Sequence, residues 1–459
     1  MLILRISVFF LILFFLIFSN EINAQFFGKS RSDDNEKLWK MDTTSKHWSL
    51  PLKGIQLGKD FQMSLGGELR YYFQHYDHVN FGEIPSNFVN ESPDQLLQRV
   101  LMQVSVSWKN RIRLFTQLNH TKRYFNDNPI NNQADENVLA FQQLFLEVPL
   151  SKNSFLRFGK QEEIFGGERL LAGREGPNTR MTHAGLHYRF KNANYTADAF
   201  WVRPMFMRPG VWDDEISKEH LVGIYLSNVD FHQPFLFDFY SIYFQSPKRE
   251  YLFRIGEEKR NSIGFRIFSK PNKWQYSIEN VYQFGTFQDR SIQAFMTIFD
   301  VSRQMNHSFY AGFSGNWVPG DRDYGDNQLN TFNTLFARPP FGQTVSLNIS
   351  NTLNLSPYIR FQPNEFYNMT LRASFVTRQS LADGIYTPNM TPMRPLPNHS
   401  LESSAKGVGN IYTLETNFNF SKRWVGLLEL GVCEAGDYLK DTGKGKDVFY
   451  FAVRSGYKF

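Results

Sequence analysis

The sequence predicts an all-β chain: a transmembrane antiparallel β-barrel of about 18 strands, with short periplasmic turns at one end and long extracellular loops at the other. Three observations predict it. Apolar and polar residues alternate in segment after segment of roughly ten residues, the period of a strand whose two faces meet different media. Aromatic residues make up 16% of the chain while mean hydropathy is −0.41, which fits a fold in which only alternate residues meet lipid. Short polar links also alternate with long segments rich in Gly, Asn, Asp and Pro. Beyond residue 24 no run approaches the ~18 apolar residues that a spanning helix needs.

The chain opens MLILRISVFFLILFFLIFSNEINAQ. Arg5 gives a short positive start, residues 6–18 are apolar but for Ser7, and a polar stretch leads to the small Ala24. This is the order of a secretory signal peptide over 1–24, cleaved between Ala24 and Gln25. A membrane-anchoring helix would suit the length of the run but not the SNEINA stretch behind it. No cysteine follows the run to carry a lipid. Cys433 stands alone, so no intrachain disulfide framework is expected despite export. The net charge of +6 comes from abundant acids and bases without a basic cluster among aromatics, so no nucleic-acid partner is expected. Residues 25–60 are expected to form a short periplasmic segment and residues 61–459 the barrel.

The strands can be justified in order. FQMSLGGELRYYF sets Phe61, Met63, Leu65, Leu69, Tyr71 and Phe73 against Gln62, Ser64, Glu68 and Arg70. RVLMQVSVSW sets Val100, Met102, Val104, Val106 and Trp108 against Arg99, Gln103, Ser105 and Ser107. After the Lys109-Asn110 link, Ile112, Leu114 and Leu118 oppose Arg113, Gln117 and Asn119, a hairpin signal. Further short links fall at 149–153, 191–194, 232–235, 270–273, 303–306, 362–365 and 421–423. Longer ones include 77–96, 121–136, 164–181, 204–219, 318–349, 379–407 and 435–446; the connection after Gln283 is short where a long one is expected. Eight short turns and nine longer connections give 18 strands with both ends on one side. The last segment, FYFAVRSGYKF, alternates through Phe449, Phe451, Val453, Ser455, Tyr457 and Phe459. It must close against the first strand to leave no edge in the bilayer. Its aromatic end resembles the signal read by the barrel-assembly machinery of Gram-negative bacteria. The expected setting is an outer-membrane monomer surrounded by lipid.

The polar faces repeat one chemistry. Arg70, Arg99, Arg113, Arg157, Arg266, Arg360, Arg372, Arg378 and Arg454 point inward by alternation, as do Glu68, Glu147, Asp198, Glu279, Glu415 and Glu429. Arginine suits carboxylates because its planar fork donates two parallel hydrogen bonds and keeps its charge. Arginine tracks can make a pore prefer anions, and interspersed acids keep any one cluster from trapping a polyanion. The competing role for each arginine is to brace the wall by pairing with an acid, since interior charges pair. No GxSxG or HExxH occurs, and His75, His78, His120 and His183 are the only histidines expected near a rim, so no catalytic site is expected.

The stretch RFGKQEEIFGGERLLAGREGPNTR resembles a hallmark of the alginate export family of outer-membrane barrels. Arg157, Gly159, Gln161, Gly166, Arg169, Leu170 and Arg180 match its pattern, Lys160 replaces an arginine, and Thr182, His183 and Ala184 replace a Phe-Asp-Gly. Further matches are Gln142–Gln143, RNSIGFRIF from Arg260, Glu279 and Gln283 in SIENVYQFG, GDRDYGDNQLNTFNTLF, and Arg378 followed by Asp383. The resemblance implies an 18-stranded barrel that passes an anionic polyuronate such as alginate passively outward along arginines, with Gln161, Arg169 and Arg180 added to the conduit set. A periplasmic export partner would supply the polymer. The alternative is a general or anion-selective diffusion porin for small solutes. In GGERLLAGREG, Gly166, Gly167 and Gly173 permit sharp turns, and a constriction presenting Arg169 and Arg174 is expected from the resemblance. No cofactor is expected. Asp321, Asp323 and Asp326 could hold calcium on an outer loop, although Asp is also ordinary in turns.

Overall fold

The computed structural model describes residues 47–459 apart from 85–89, 110, 126–131, 229–234, 253, 271 and 395–402. The signal sequence and its cleavage point lie outside the described residues. Eighteen strands form one antiparallel sheet. They are β1 Phe61–Asp77, β2 Asp94–Trp108, β3 Ile112–Tyr124, β4 Asn137–Ser151, β5 Ser154–Gln161 and β6 His183–Lys191. Next come β7 Tyr195–Phe206, β8 His220–Asn228, β9 Phe235–Tyr251, β10 Arg254–Ser269, β11 Trp274–Phe287 and β12 Arg290–Gln304. The last six are β13 Phe309–Val318, β14 Thr352–Phe361, β15 Tyr367–Arg378, β16 Gly407–Asn419, β17 Trp424–Ala435 and β18 Val448–Lys458. Each pairs with the next, and β18 returns to β1 from Glu68↔Lys458 to Asp77↔Phe449. The sheet is a closed barrel, so every strand has two hydrogen-bonded neighbours and no open edge faces lipid.

The alternation survives folding because the two sides of the wall are different solvents. Leu69, Met102, Phe158, Trp201, Phe313 and Phe449 are exposed on the outside, where an apolar side chain meets lipid. Residues of the opposite parity turn inward: Tyr72 and Tyr450 share a hydrogen bond of 2.8 Å between hydroxyls, and Gln74 Nε2 donates to Tyr450 at 2.9 Å. Eight short links and both sheet ends lie at one end, with nine connections at the other. The short link expected after Gln283 is residues 288–289. A second, at 252–253, carries no turn signal: Leu252 is apolar, holds φ of 50° and is buried beside the apolar cluster of Tyr251, Phe287 and Tyr386. The strands flanking it, β9 and β10, are 17 and 16 residues long, so this side of the wall is tall.

The described part of the expected N-terminal segment packs on the closing seam. A single turn at Leu50–Leu52 leads to Ile55–Leu57, which pairs with Phe61–Met63. His47 Nε2 lies 2.9 Å from the Tyr457 hydroxyl, and the rings of Trp48 and Phe459 are 5.4 Å apart.

Candidate functional site

Long connections at the outer end turn into the barrel instead of standing above it. Phe165 stacks on Phe200 at 5.1 Å and on Tyr225 at 5.0 Å, which draws residues 162–182 inward. Gly166, with φ of 52°, makes the turn, and a Cβ there would collide with the Tyr225 hydroxyl. This loop meets residues 319–351 in the lumen: Phe336 N–H donates to Leu170 C=O at 2.9 Å and Arg338 N–H to Glu168 C=O at 3.0 Å. Leu170, Leu171, Leu335 and Phe336 are buried with Leu221 and Phe244 of the wall, so the main apolar core sits inside the barrel. Arg174 ties the loop to a third, donating to Ala337 C=O at 3.1 Å, Asn389 Oδ1 at 2.7 Å and Pro388 C=O at 3.1 Å.

Many of the inward arginines hold these loops in place. Arg99 donates to Glu68 at 2.7 Å, Glu175 Oε2 at 2.9 Å and Asn178 C=O at 3.2 Å. Arg70 donates to Glu175 C=O at 2.8 Å, Pro177 C=O at 3.1 Å and Asn178 Oδ1 at 3.0 Å. Arg180 and Glu162, 1% and 0% exposed, pair at 2.6 Å. Arg157 and Arg113 share Glu147 at 2.7 and 3.6 Å. Arg378 donates to Ala405 C=O at 2.8 Å and also to Ser403 C=O, both outside the sheet. These guanidinium groups are spent on carboxylates and loop carbonyls.

A second set keeps contact with solvent. Arg266 reaches Asp238 at 3.2 Å and Ser277 at 3.0 Å. Arg360 lies 4.2 Å from the Tyr310 ring centre, Arg372 4.5 Å from Tyr358 and Arg454 5.5 Å from Tyr72. Attraction to a ring face leaves N–H donors available; Arg360 also donates to Gln275 at 2.8 Å and Arg372 to Ser314 Oγ. Arg169 and Arg338 project from the two loops that meet in the lumen, and neither guanidinium has a hydrogen-bond or ion-pair partner among the described residues. Arg169 is within electrostatic reach of Glu279, Arg266, Arg338 and Asp300. Arg338 and Arg454 are within reach of Glu429, which itself sits near Glu415. Glu279 accepts from Tyr240 at 2.6 Å and Glu415 from Asn417 at 2.7 Å.

A family model described as alginate export matches residues 61–452. The chain belongs to the alginate export family. No curated protein matches it. Among solved structures it resembles OccD3 (OpdP) of Pseudomonas aeruginosa, with a TM-score of 0.60 and 8% identity over 92% of this chain and 97% of that one. A BenF-like porin from Pseudomonas fluorescens Pf-5 gives 0.58 and 8%, covering 86% and 98%. OccK2 (OpdF) of Pseudomonas aeruginosa in complex with glucuronate gives 0.55 and 10%, also covering 86% and 98%. At these identities the likeness shows the fold. Family and fold together make the protein an outer-membrane channel.

The remaining expected residues of this alginate export barrel are placed as follows. Gln161 is fully buried beside His183 in the β5–β6 register, and neither side chain has a hydrogen-bond partner among the described residues. His183 lies under the loops, with its ring 5.6 Å from that of Phe336, and not at a rim. His75 pairs with Asp94 at 2.7 Å on the outer surface, His78 faces Asp447 C=O at 3.0 Å, and His120 faces Val138 C=O at 2.7 Å. Asp198 receives His187 at 2.7 Å and Arg189 at 2.5 Å, while the other nitrogen of His187 meets Glu163 at 3.0 Å. Asp323 and Asp326 accept backbone N–H groups of Gly325 and Gln328, both at 2.8 Å, which is turn capping. Asp321 accepts Arg322 N–H at 3.1 Å. Among the described residues no group of three or more His, Cys, Asp or Glu could hold a metal ion. The inward set read from alternation missed Arg260, which is buried against Glu258 and donates to Gln283 at 2.9 Å and Thr331 C=O at 3.1 Å. Counting back from Arg266 in steps of two reaches it. Arg338 offered no such signal, because residues 330–351 have no strand period.

Proposed function

We propose that this channel is a passive conduit for an anionic polysaccharide, with Arg169, Arg338 and Arg454 as the groups its carboxylates meet. The observation that carries the proposal is that Arg169 and Arg338 reach into the lumen on inserted loops with their donors uncommitted among the described residues. Arg266, Arg360 and Arg372 continue the positive track along the wall. Glu279, Glu415 and Glu429 stand among them, which keeps each encounter weak enough for the polymer to move on. The glucuronate bound by OccK2 is a single uronate, the chemical unit of such a polymer.

The test is planar-bilayer recording of anion/cation permeability, followed by titration with polyuronate. Wild type is expected to prefer anions and to be blocked. Arg169→Gln with Arg338→Gln is expected to lower the permeability ratio several-fold and weaken block at least tenfold, with conductance kept. A wide current indifferent to both polyuronate and the double substitution would leave a general diffusion porin.

A further inference from the structure

Strands β5, β6 and β8 are the shortest of the wall, at 8, 9 and 9 residues. At ~3.3 Å per residue and a tilt of ~40°, eight residues rise roughly 20 Å, less than the ~25 Å apolar band of an outer-membrane barrel. The connection between β7 and β8 covers this low stretch from outside. Glu215–Ile216 pairs back on Met205–Phe206, and the intervening turn reaches across to β4. There Val138 N–H donates to Gly210 C=O at 3.1 Å and Trp212 N–H to Leu139 C=O at 2.9 Å.

Three outward side chains fix the strap to the outer face. The Trp212 ring lies 4.6 Å from Phe141 of β4, Lys160 of β5 pairs with Asp214 at 2.5 Å, and Arg203 of β7 donates to Ser217 C=O at 2.7 Å. The strap then presents Phe206, Val211, Trp212 and Ile216, each about half exposed, beside Val138 at 50%. Directly below on the same face are the exposed Phe158 of β5 and Trp201 of β7.

We propose that this strap is embedded in the outer leaflet, its apolar side chains at the boundary of acyl chains and headgroups, where it completes the lipid-facing wall that β5 and β6 leave short. Lipid is the occupant because the patch continues the lipid-facing band without a break. Several of its backbone groups are already paired to the wall, as entry into an apolar medium requires. Its charges fit the same depth: Lys160 and Asp214 neutralise each other out of solvent, whereas Arg208 and Glu215 pair at 3.0 Å on the exposed side. Trp212 has the amphipathic ring that collects at a membrane interface.

The test uses the full barrel in phosphatidylcholine vesicles, with Cys433→Ala and a fluorophore on Val211→Cys. Quenching by lipids carrying a spin label at acyl position 5 is compared with quenching by aqueous iodide. The expected result is at least twofold stronger quenching by the lipid, with the reverse order for the same fluorophore on Asp323→Cys in an outer loop. Stronger quenching by iodide at position 211 would overturn the proposal. So would energy transfer between labelled copies that rises with protein density, since a second copy would then be the occupant. Anion selectivity plays no part in these readouts, so the inference stands or falls apart from the solute.

Discussion

Arg180 and Glu162 offer the sharpest perturbation of the inserted loop. Glu162 Oε1 receives Arg180 Nε at 2.8 Å, Arg180 Nη2 at 2.6 Å and Gln142 Nε2 at 3.1 Å, with both charged side chains out of solvent. Arg180→Met leaves the carboxylate buried with one amide. Removing one partner of such a pair costs about 3–5 kcal/mol, and undocking the loop relieves that cost by returning Glu162 to water. The docked state should lose roughly 150- to 5,000-fold in its equilibrium. Against this stand Phe165, Leu170 and Leu171, whose burial is worth about 1.5–3 kcal/mol each. Docking therefore survives, and the loop opens only transiently. In bilayer recordings the variant should show brief events above the wild-type current level, with faster tryptic cleavage after Arg169 and Arg174 while the barrel stays intact. Replacing both partners by methionine should restore the quiet record, because no charge is then stranded. A variant as quiet as wild type, or a double variant no better than the single, would refute the reasoning.

Other outcomes follow from single groups. Burial pushes the Asp135 carboxyl up to about 6; it accepts Asn178 N–H at 3.0 Å and so helps dock the same loop. Because the folded state favours the neutral acid, its contribution is present below about pH 4 and is lost as pH rises through 6. The melting midpoint in detergent should fall more between pH 5 and pH 8 for wild type than for Asp135→Asn, and equal falls would count against it. Gly159 in β5 has φ of 135°, and a Cβ there would strike the Leu144 carbonyl of β4. Gly159→Ala should lower the unfolding temperature in gel-shift assays by several degrees or block assembly, and an unchanged value would mean that the backbone yields. Arg454→Gln should reduce anion preference with little effect on stability, whereas Arg99→Gln should do the opposite. Similar effects on both would erase the distinction between the two sets of arginines.

The barrel was legible because lipid and lumen impose opposite demands on successive residues. That pressure writes the alternation of β1, β2 and β18 into the chain, and it places Arg70, Arg99, Arg113 and Arg454 inward without knowledge of any contact. It does not distinguish their roles. Arg99 and Arg454 have the same pattern, yet Arg99 is committed to Glu175 and Asn178, 76 and 79 residues away, and Arg454 lies over Tyr72 within electrostatic reach of Glu429. Which donors are used depends on loops that have no period to read. The same blindness hid Arg338 and the 252–253 link, whose surroundings are set by packing between residues far apart along the chain.

Bracing and conducting make contrary demands on an arginine. A brace works best when every donor is taken, as at Arg99, because a buried charge without partners is costly. A conducting group works only while donors remain available and each contact is brief. The same residue type serves both ends because its flat cation can be held in two ways, by a carboxylate fork or by the face of a ring. Forks fix the loops that narrow the lumen, as at Arg99 and Arg180, while ring faces support braced and more open guanidiniums alike, as at Arg157 over Phe145 and Arg454 over Tyr72. The inserted loops join these roles, since the arm that carries Arg169 into the lumen is anchored through Glu162, Glu175 and Asn178 by arginines of the wall and of the loop itself. If the proposed conduit reading holds, a charged polymer passing Arg169 would press on a loop whose own charges are already matched, so a weak grip there would not pull the loop free.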